Sequence, residues 1–322
     1  MRDSRPTRGP ASPIALFTYN RLEHTTRTVE ALAGNELAAE SDLYVFSDGP
    51  RSASDAPKIK AIRSYLRGIS GFKSVIIKCR HQNSGLAHSI ICGVTEMCCR
   101  HGRVIVMEDD LVTAPYFLRY MNEALDLYQN ETEVISIHGY VYPVREPLPE
   151  TFFLRGADCW GWATWSRGWA LFEPNGTQLL SELEARGLTR EFDFNHSFGF
   201  TAMLRDQIAE KNDSWAIRWC ASAFLQNKLT LYPGRPLVRN IGNDATGVHC
   251  REATSYDIEL AHEPIAMSKP ILTENRQARG AFERYFQCLS ESRRSRLWRH
   301  MTNFLRFKPL KQKPGRLVGL IQ

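Results

Sequence analysis

The chain has 322 residues, of which 43% are hydrophobic and 24% charged, with a net charge of +6. That length can bury a large core as one big domain or a domain with an appendage, and neither low-complexity tracts nor internal repeats occur. No apolar run approaches the roughly 18–20 residues that span a bilayer, and the polar start MRDSRPTRGPASP lacks the apolar core of a signal peptide, so cytosolic residence is the expected default.

In chain order, five apolar runs rich in β-branched and aromatic residues predict strands: Ile14–Tyr19, Leu43–Ser47, Ser74–Lys78, Val104–Met107 and Val134–His138. Helical patterns fill the gaps at about 22–37, 56–67, 84–100 and 115–129. Strands alternating with helices predict βαβ units and a mainly parallel, twisted α/β sheet flanked by helices. Parallel strands are buried on both faces, so they read as continuous apolar runs, as these do. After about residue 140 the rhythm breaks. An indole-dense stretch, Asp158–Trp165, precedes helical segments near 177–187, 197–211 and Trp215–Gln226. A short strand at Thr230–Tyr232 and a polar, glycine-containing loop over 240–257 follow.

Charge is uneven along the chain. Residues 291–322 carry nine Arg and Lys residues against Glu291 alone, a balance of +8, so the remainder of the chain carries −2. Trp298, Met301, Phe304, Leu305, Phe307 and Leu310 are interleaved with those cations. A basic segment studded with large apolar residues is expected to lie on an anionic membrane surface, with about 1 kcal/mol per cation near the lipid; a solvated tail or a packed helix is the alternative. No nucleic-acid-binding motif accompanies the charge. The eight cysteines (79, 92, 98, 99, 159, 220, 250, 288) show neither C-x-x-C pairs nor regular spacing, which predicts reduced thiols. Four N-x-S/T sequons, at Asn130, Asn175, Asn195 and Asn212, carry no meaning in a cytosolic protein.

The most telling feature is Glu108-Asp109-Asp110, directly after the apolar run Val104–Met107. Acids clustered at a strand end repel one another unless a cation or a basic partner neutralises them. The carboxyl edge of an open α/β sheet is also where ligands bind. Mg²⁺ or Mn²⁺, hard cations that share oxygen ligands with phosphates, suits such a cluster. The competing reading is the acidic first turn of a helix running from Leu111 to Tyr128.

Further motifs stand at other strand ends. Thr18-Tyr19-Asn20-Arg21 closes the first strand and Phe46-Ser47-Asp48-Gly49 the second. Asn83-Ser84-Gly85-Leu86-Ala87-His88 opens the third helix, with Ser84 as a candidate N-cap. Asp213 precedes Trp215 in Asn212–Trp219, as an N-cap or a base, with Asp206 and Glu210 as nearby alternatives. Gly242–His249 ends the series.

In their order and spacing these motifs, over roughly residues 13–250, resemble the GT-A class of nucleotide-sugar-dependent glycosyltransferases. They are similar to the Golgi N-acetylglucosaminyltransferases acting on the trimannosyl core and to bacterial enzymes of surface-polysaccharide synthesis. The resemblance implies a Rossmann-like GT-A fold with a nucleotide-sugar-binding half at 13–140. It also implies an α-rich acceptor-binding and catalytic half at 141–257, between a flexible residue 1–12 segment and a 258–322 extension. It makes Asp110 the metal ligand, with Glu108 and Asp109 at ribose or metal-bound water, and Mn²⁺ (or Mg²⁺) the cofactor. Arg21 would contact uracil, Asp48 the base or ribose, and His88 would lie near the nucleotide. His249 would reach the metal or a phosphate. Trp160, Gly161, Trp162 and Trp215 would line sugar pockets, with Asp158 offering a hydroxyl contact, and Asp213 would be the general base. The expected reaction is inverting transfer from a UDP-sugar to a glycan or lipid-linked glycan, in a cytoplasmic enzyme peripheral on the membrane. A nucleotidyltransferase, a non-catalytic sugar-binding relative and a retaining mechanism remain open at this point.

Overall fold

The computed structural model describes residues 9–242, 256 and 258–290. His249, most of the Gly242–His249 loop, and the basic segment 291–322 lie outside the described residues. An eight-stranded sheet organises the chain, in the order β3 (Ser74–Cys79), β2 (Asp42–Ser47), β1 (Ile14–Thr18), β4 (Arg103–Glu108), β8 (Trp162–Trp165), β6 (Val134–His138), β9 (Leu229–Pro233), β7 (Thr151–Arg155). The pairs β3–β2, β2–β1, β1–β4 and β6–β9 are parallel, whereas β8 and β7 run against their neighbours. The fold is therefore α/β with a mainly parallel sheet, and strands from before and after residue 140 share it.

The continuous apolar runs have a direct cause. On β1, Ile14 and Leu16 face one core with α1 (Leu22–Ala33), α2 (Ala56–Leu66) and α4 (Phe117–Leu127), while Ala15 and Phe17 face a second core with α3 (Leu86–His101) and α9 (Trp215–Leu225). On β4, Ile105 and Met107 alternate with Val104 and Val106 in the same way. Both faces are covered, so alternation with polar residues disappears.

The expected helix from Leu111 is corrected. Leu111–Thr113 form β5, paired antiparallel with β10 (Val238–Asn240), and the helix begins only at Phe117. Pro115 disfavours helical backbone at Ala114, and Val112 and Thr113 are β-branched. The acidic triplet thus sits on a strand-turn-strand segment and is no helix start. The antiparallel strands β7 and β8 were not legible as strands. Residues 276–290 are helical and bury Ala278, Phe282 and Phe286 against Phe152 and Tyr232, so part of the expected extension belongs to the body. The cysteines among the described residues are free thiols. No helix among the described residues is long and apolar enough to cross a membrane.

Candidate active site

Strand register assembles one side of the site. Phe17 pairs with Glu108 and Thr18 with Ser47, so Tyr19–Arg21, Asp48 and Asp109–Asp110 emerge side by side at one sheet edge. Asp109 is 5% exposed; it accepts the Tyr19 amide (3.2 Å) and Arg21 Nη2 (2.6 Å), while Thr28 Oγ1 holds its carbonyl. Asp110 Oδ2 accepts the same Arg21 nitrogen at 2.7 Å, and its carbonyl accepts the Ile241 amide at 2.8 Å. Burial by itself would lower the Arg21 pKa, but the charges of Asp109 and Asp110 outweigh it and hold the guanidinium protonated. Burial raises the Asp109 pKa, against the pull of Arg21. Burial, then Asp110 and Asp109, push Glu108 up to about 8. The repulsion anticipated for three adjacent acids is met here by a basic partner, Arg21.

Asp48 is 7% exposed and spends its carboxylate on the chain. It accepts the amides of Gly49 (2.8 Å), Ser84 (3.0 Å) and Gly85 (3.1 Å) and the Asn83 side-chain amide (3.0 Å). Those bonds pin the loop that opens α3. Gly85 rather than Ser84 is the N-cap, at φ +80°, a conformation that favours glycine. Tyr19 and Asn20 both donate to Asp55, fixing the neighbouring loop. His88 is exposed on α3, its Nε2 3.4 Å from Cys92 Sγ.

A second side of the site arrives through β8. Trp162 pairs with both Val106 and His138 and runs antiparallel to them, so residues 158–161 reach the same edge as Glu108. Asp158 Oδ2 accepts the Tyr142 hydroxyl at 3.3 Å and lies 3.6 Å from Nε2 of His138, which is fully buried. Burial lowers the His138 pKa, countered by Asp158. His138 escaped sequence reading because a histidine closing an apolar strand carries no motif. Gly161 (φ +66°) gives its carbonyl to the Gly139 amide at 2.7 Å, and a side chain at either glycine would strike Val238.

The structure moves two of the expected sugar contacts into the interior. Trp162 is 0% and Trp215 2% exposed; they stack at 5.5 Å, with Trp169 and Trp219 against Trp162. Indoles covered by other indoles have no face left for a ligand. Trp160 is different: it is half-buried, edge-on to Tyr140 (4.8 Å) and Tyr256 (5.8 Å).

Asp213 does not cap α9; Ser214 does, accepting the Ile217 amide at 3.2 Å. Asp213 is left 66% exposed, 3.5 Å from Arg218 Nη2. A side chain at Gly85 would sit 3.7 Å from Asp213 Oδ2, so Asp213 faces the loop anchored by Asp48. Asp206 is paired with Lys211.

Among the described residues no group of three or more His, Cys, Asp or Glu is arranged to hold a metal. Asp109 Oδ1 and Asp110 Oδ2 do converge on one point, Nη2 of Arg21. Two hard oxygen donors meeting at a point are of the kind that suits Mg²⁺ or Mn²⁺, and in this structure Arg21 occupies that point.

No protein-family model matches the sequence, and no curated protein matches it either. Among solved structures the chain is similar to S. aureus TarS 1-349, with 10% identity, 50% of this chain and 48% of that chain covered, and a TM-score of 0.33. TarS 1-349 in complex with UDP matches at 12% identity over 50% of this chain and 47% of that one, with a TM-score of 0.34. The mannosyltransferase PcManGT from Pyrobaculum calidifontis, in complex with GDP-Man and Mn2+, matches at 10% identity over 69% and 70% of the two chains, with a TM-score of 0.36. The match thus spans about half the length of the TarS 1-349 chain. Likenesses this distant leave the site to be judged on its own geometry.

Proposed function

We propose that this chain is a GT-A-like, nucleotide-sugar-dependent glycosyltransferase that uses a divalent metal. The observation supporting this reading is the gathering of Glu108, Asp109 and Asp110 with Arg21 at the carboxyl edge of the sheet, beside the Asp48-anchored loop and facing Asp213. Asp110 and Asp109 would hold Mn²⁺ or Mg²⁺, with His249 as a further candidate ligand. When bound, such an ion neutralises the charge of a departing diphosphate.

The remaining roles belong to the chain. Arg21 offers a guanidinium to the donor, and Asp48 shapes the loop that receives it, with His88 alongside. Trp160 presents the one partly exposed indole of its segment, an apolar face suited to the C–H side of a sugar ring, and Asp158 next to it accepts hydroxyl protons in hydrogen bonds. Asp213 accepts the proton of the attacking acceptor hydroxyl, a role supported by its freedom from capping duty. Attack from the side opposite the leaving group inverts the anomeric centre. A UDP-sugar donor, a glycan or lipid-linked glycan acceptor of surface-polysaccharide type, the kinship to Golgi enzymes of the trimannosyl core, and membrane contact through 291–322 complete the proposal.

The experiment is a panel of nucleotide sugars with Mn²⁺, scored by thermal protection and then by donor hydrolysis; a ligand that binds the native state raises its stability by mass action. Protection by one nucleotide diphosphate class and slow release of that nucleotide support the reading. Protection without hydrolysis or transfer to any glycan would indicate a non-catalytic sugar-nucleotide binder. Pyrophosphate-dependent exchange would indicate a nucleotidyltransferase.

A further inference from the structure

Arg21 makes both of its ion pairs through one nitrogen. Nη2 lies 2.6 Å from Asp109 Oδ1 and 2.7 Å from Asp110 Oδ2. Two adjacent carboxylates repel one another, and the guanidinium between their oxygens offsets that repulsion. Nη1, in contrast, is buried and has no hydrogen-bond partner among the described residues. The guanidinium therefore leaves donor capacity unspent within the site, an arrangement that costs free energy and favours a second partner.

The surroundings fix the pocket and leave the side chain a hinge. The Arg21 carbonyl accepts the Thr25 amide (3.0 Å) and the Thr25 hydroxyl (2.8 Å), so the backbone at the start of α1 is held without using the guanidinium. Gly242 closes the far side: a side chain there would run into Asp110 and come within 3.1 Å of Arg21 Nη1.

We propose that Arg21 is the resident counter-cation of the Asp109–Asp110 pair, and that it and a divalent cation are alternative occupants of the same position. The inference rests on the metal-binding part of the proposed function. Two cations cannot share one point, so metal binding expels the guanidinium. Freed, Arg21 becomes an unpaired cation beside the bound metal, and an anionic group of the donor is its natural new partner. Metal alone then binds weakly, and metal with a nucleotide diphosphate binds strongly, because the anion compensates the displaced arginine. On this account Arg21 couples the two ligands.

The test measures Mn²⁺ binding to the purified protein by the electron paramagnetic resonance signal of free Mn²⁺, first without nucleotide and then with UDP. Wild type is compared with Arg21→Gln, which removes the charge but keeps an amide, and with Arg21→Lys, which keeps a charge. Arg21→Gln is expected to bind Mn²⁺ alone roughly tenfold more tightly, the factor set by a one-unit electrostatic change. UDP should then improve Mn²⁺ affinity less in that variant than in wild type. Arg21→Lys should stay near wild type, and adding Asp110→Asn to Arg21→Gln should abolish the gain. Equal or weaker Mn²⁺ binding by a folded Arg21→Gln protein overturns the proposal, as does absence of Mn²⁺ binding in every variant. None of these readouts requires sugar transfer. Failure of the glycosyltransferase reading would show instead as absence of turnover with the Mn²⁺ competition intact.

Discussion

Replacing Asp48 by alanine separates a loop anchor from a ligand contact. The carboxylate is 7% exposed and receives the amides of Gly49, Ser84 and Gly85 and the side-chain amide of Asn83. Alanine leaves the Gly49, Ser84 and Gly85 amides without that acceptor in a partly buried site, while the Asn83 amide keeps the Gly49 carbonyl at 3.1 Å. Each buried unsatisfied donor costs about 1–3 kcal/mol, and some water will enter the space, so a net loss of about 3–5 kcal/mol is expected, typical of a broken buried charge network. In proteins of 150–250 residues 1 kcal/mol moves Tm by about 2–4 °C, and for this larger chain the low end applies, giving a fall of roughly 6–10 °C. Asparagine should rescue little, because its NH₂ group would face the Ser84 and Gly85 amides, donor against donor. The assay is thermal melting by circular dichroism with parallel titration of the preferred nucleotide. A Tm within about 2 °C of wild type, together with collapsed nucleotide affinity, would refute the anchor role and make Asp48 a direct ligand contact.

Asp213→Asn should lower transfer by about 10²–10⁴-fold, the usual contribution of a general base, while leaving nucleotide protection and Tm unchanged, since the side chain is 66% exposed; initial rates and melting curves check this. Trp162→Ala should cost about 3–5 kcal/mol by opening a cavity among Trp169, Trp215 and Trp219; a surface tryptophan would show almost no change in denaturant midpoint. Gly242→Ala should fold yet bind Mn²⁺ poorly, because the added carbon displaces Asp110; Mn²⁺ titration of the folded variant decides it. His138 gives a pH prediction with a defined sign. Its folded pKa is depressed by burial, so below about 6.5 the unfolded chain takes up a proton that the native state refuses. Stability should then fall by about 1.4 kcal/mol per pH unit on acidification below about 6.5, and His138→Gln should flatten that slope in paired urea titrations.

Sequence alone determined the parallel part of the sheet. Strands buried on both faces must be apolar throughout, so Ile14–Thr18, Asp42–Ser47, Arg103–Glu108 and Val134–His138 were legible almost to the residue. It also placed the acids, because a charged triplet following such a strand can only lie at its end. The sequence left β7, β8 and β10 hidden: Trp162–Trp165 reads as an aromatic cluster until its pairing with β4 and β6 is seen. Which indole stays partly exposed is a matter of packing: α5 (Ser166–Trp169) and α9, which carries Trp215, close over Trp162, whereas Trp160 stays half-buried outside that cluster. The choice between Asp213 and Ser214 as helix cap turned on one backbone turn, which composition does not encode. The partner of the acid triplet was likewise a tertiary matter. Any of several arginines could have neutralised it, and only the register of β1 against β4, Phe17 beside Glu108, brings Arg21 between Asp109 and Asp110.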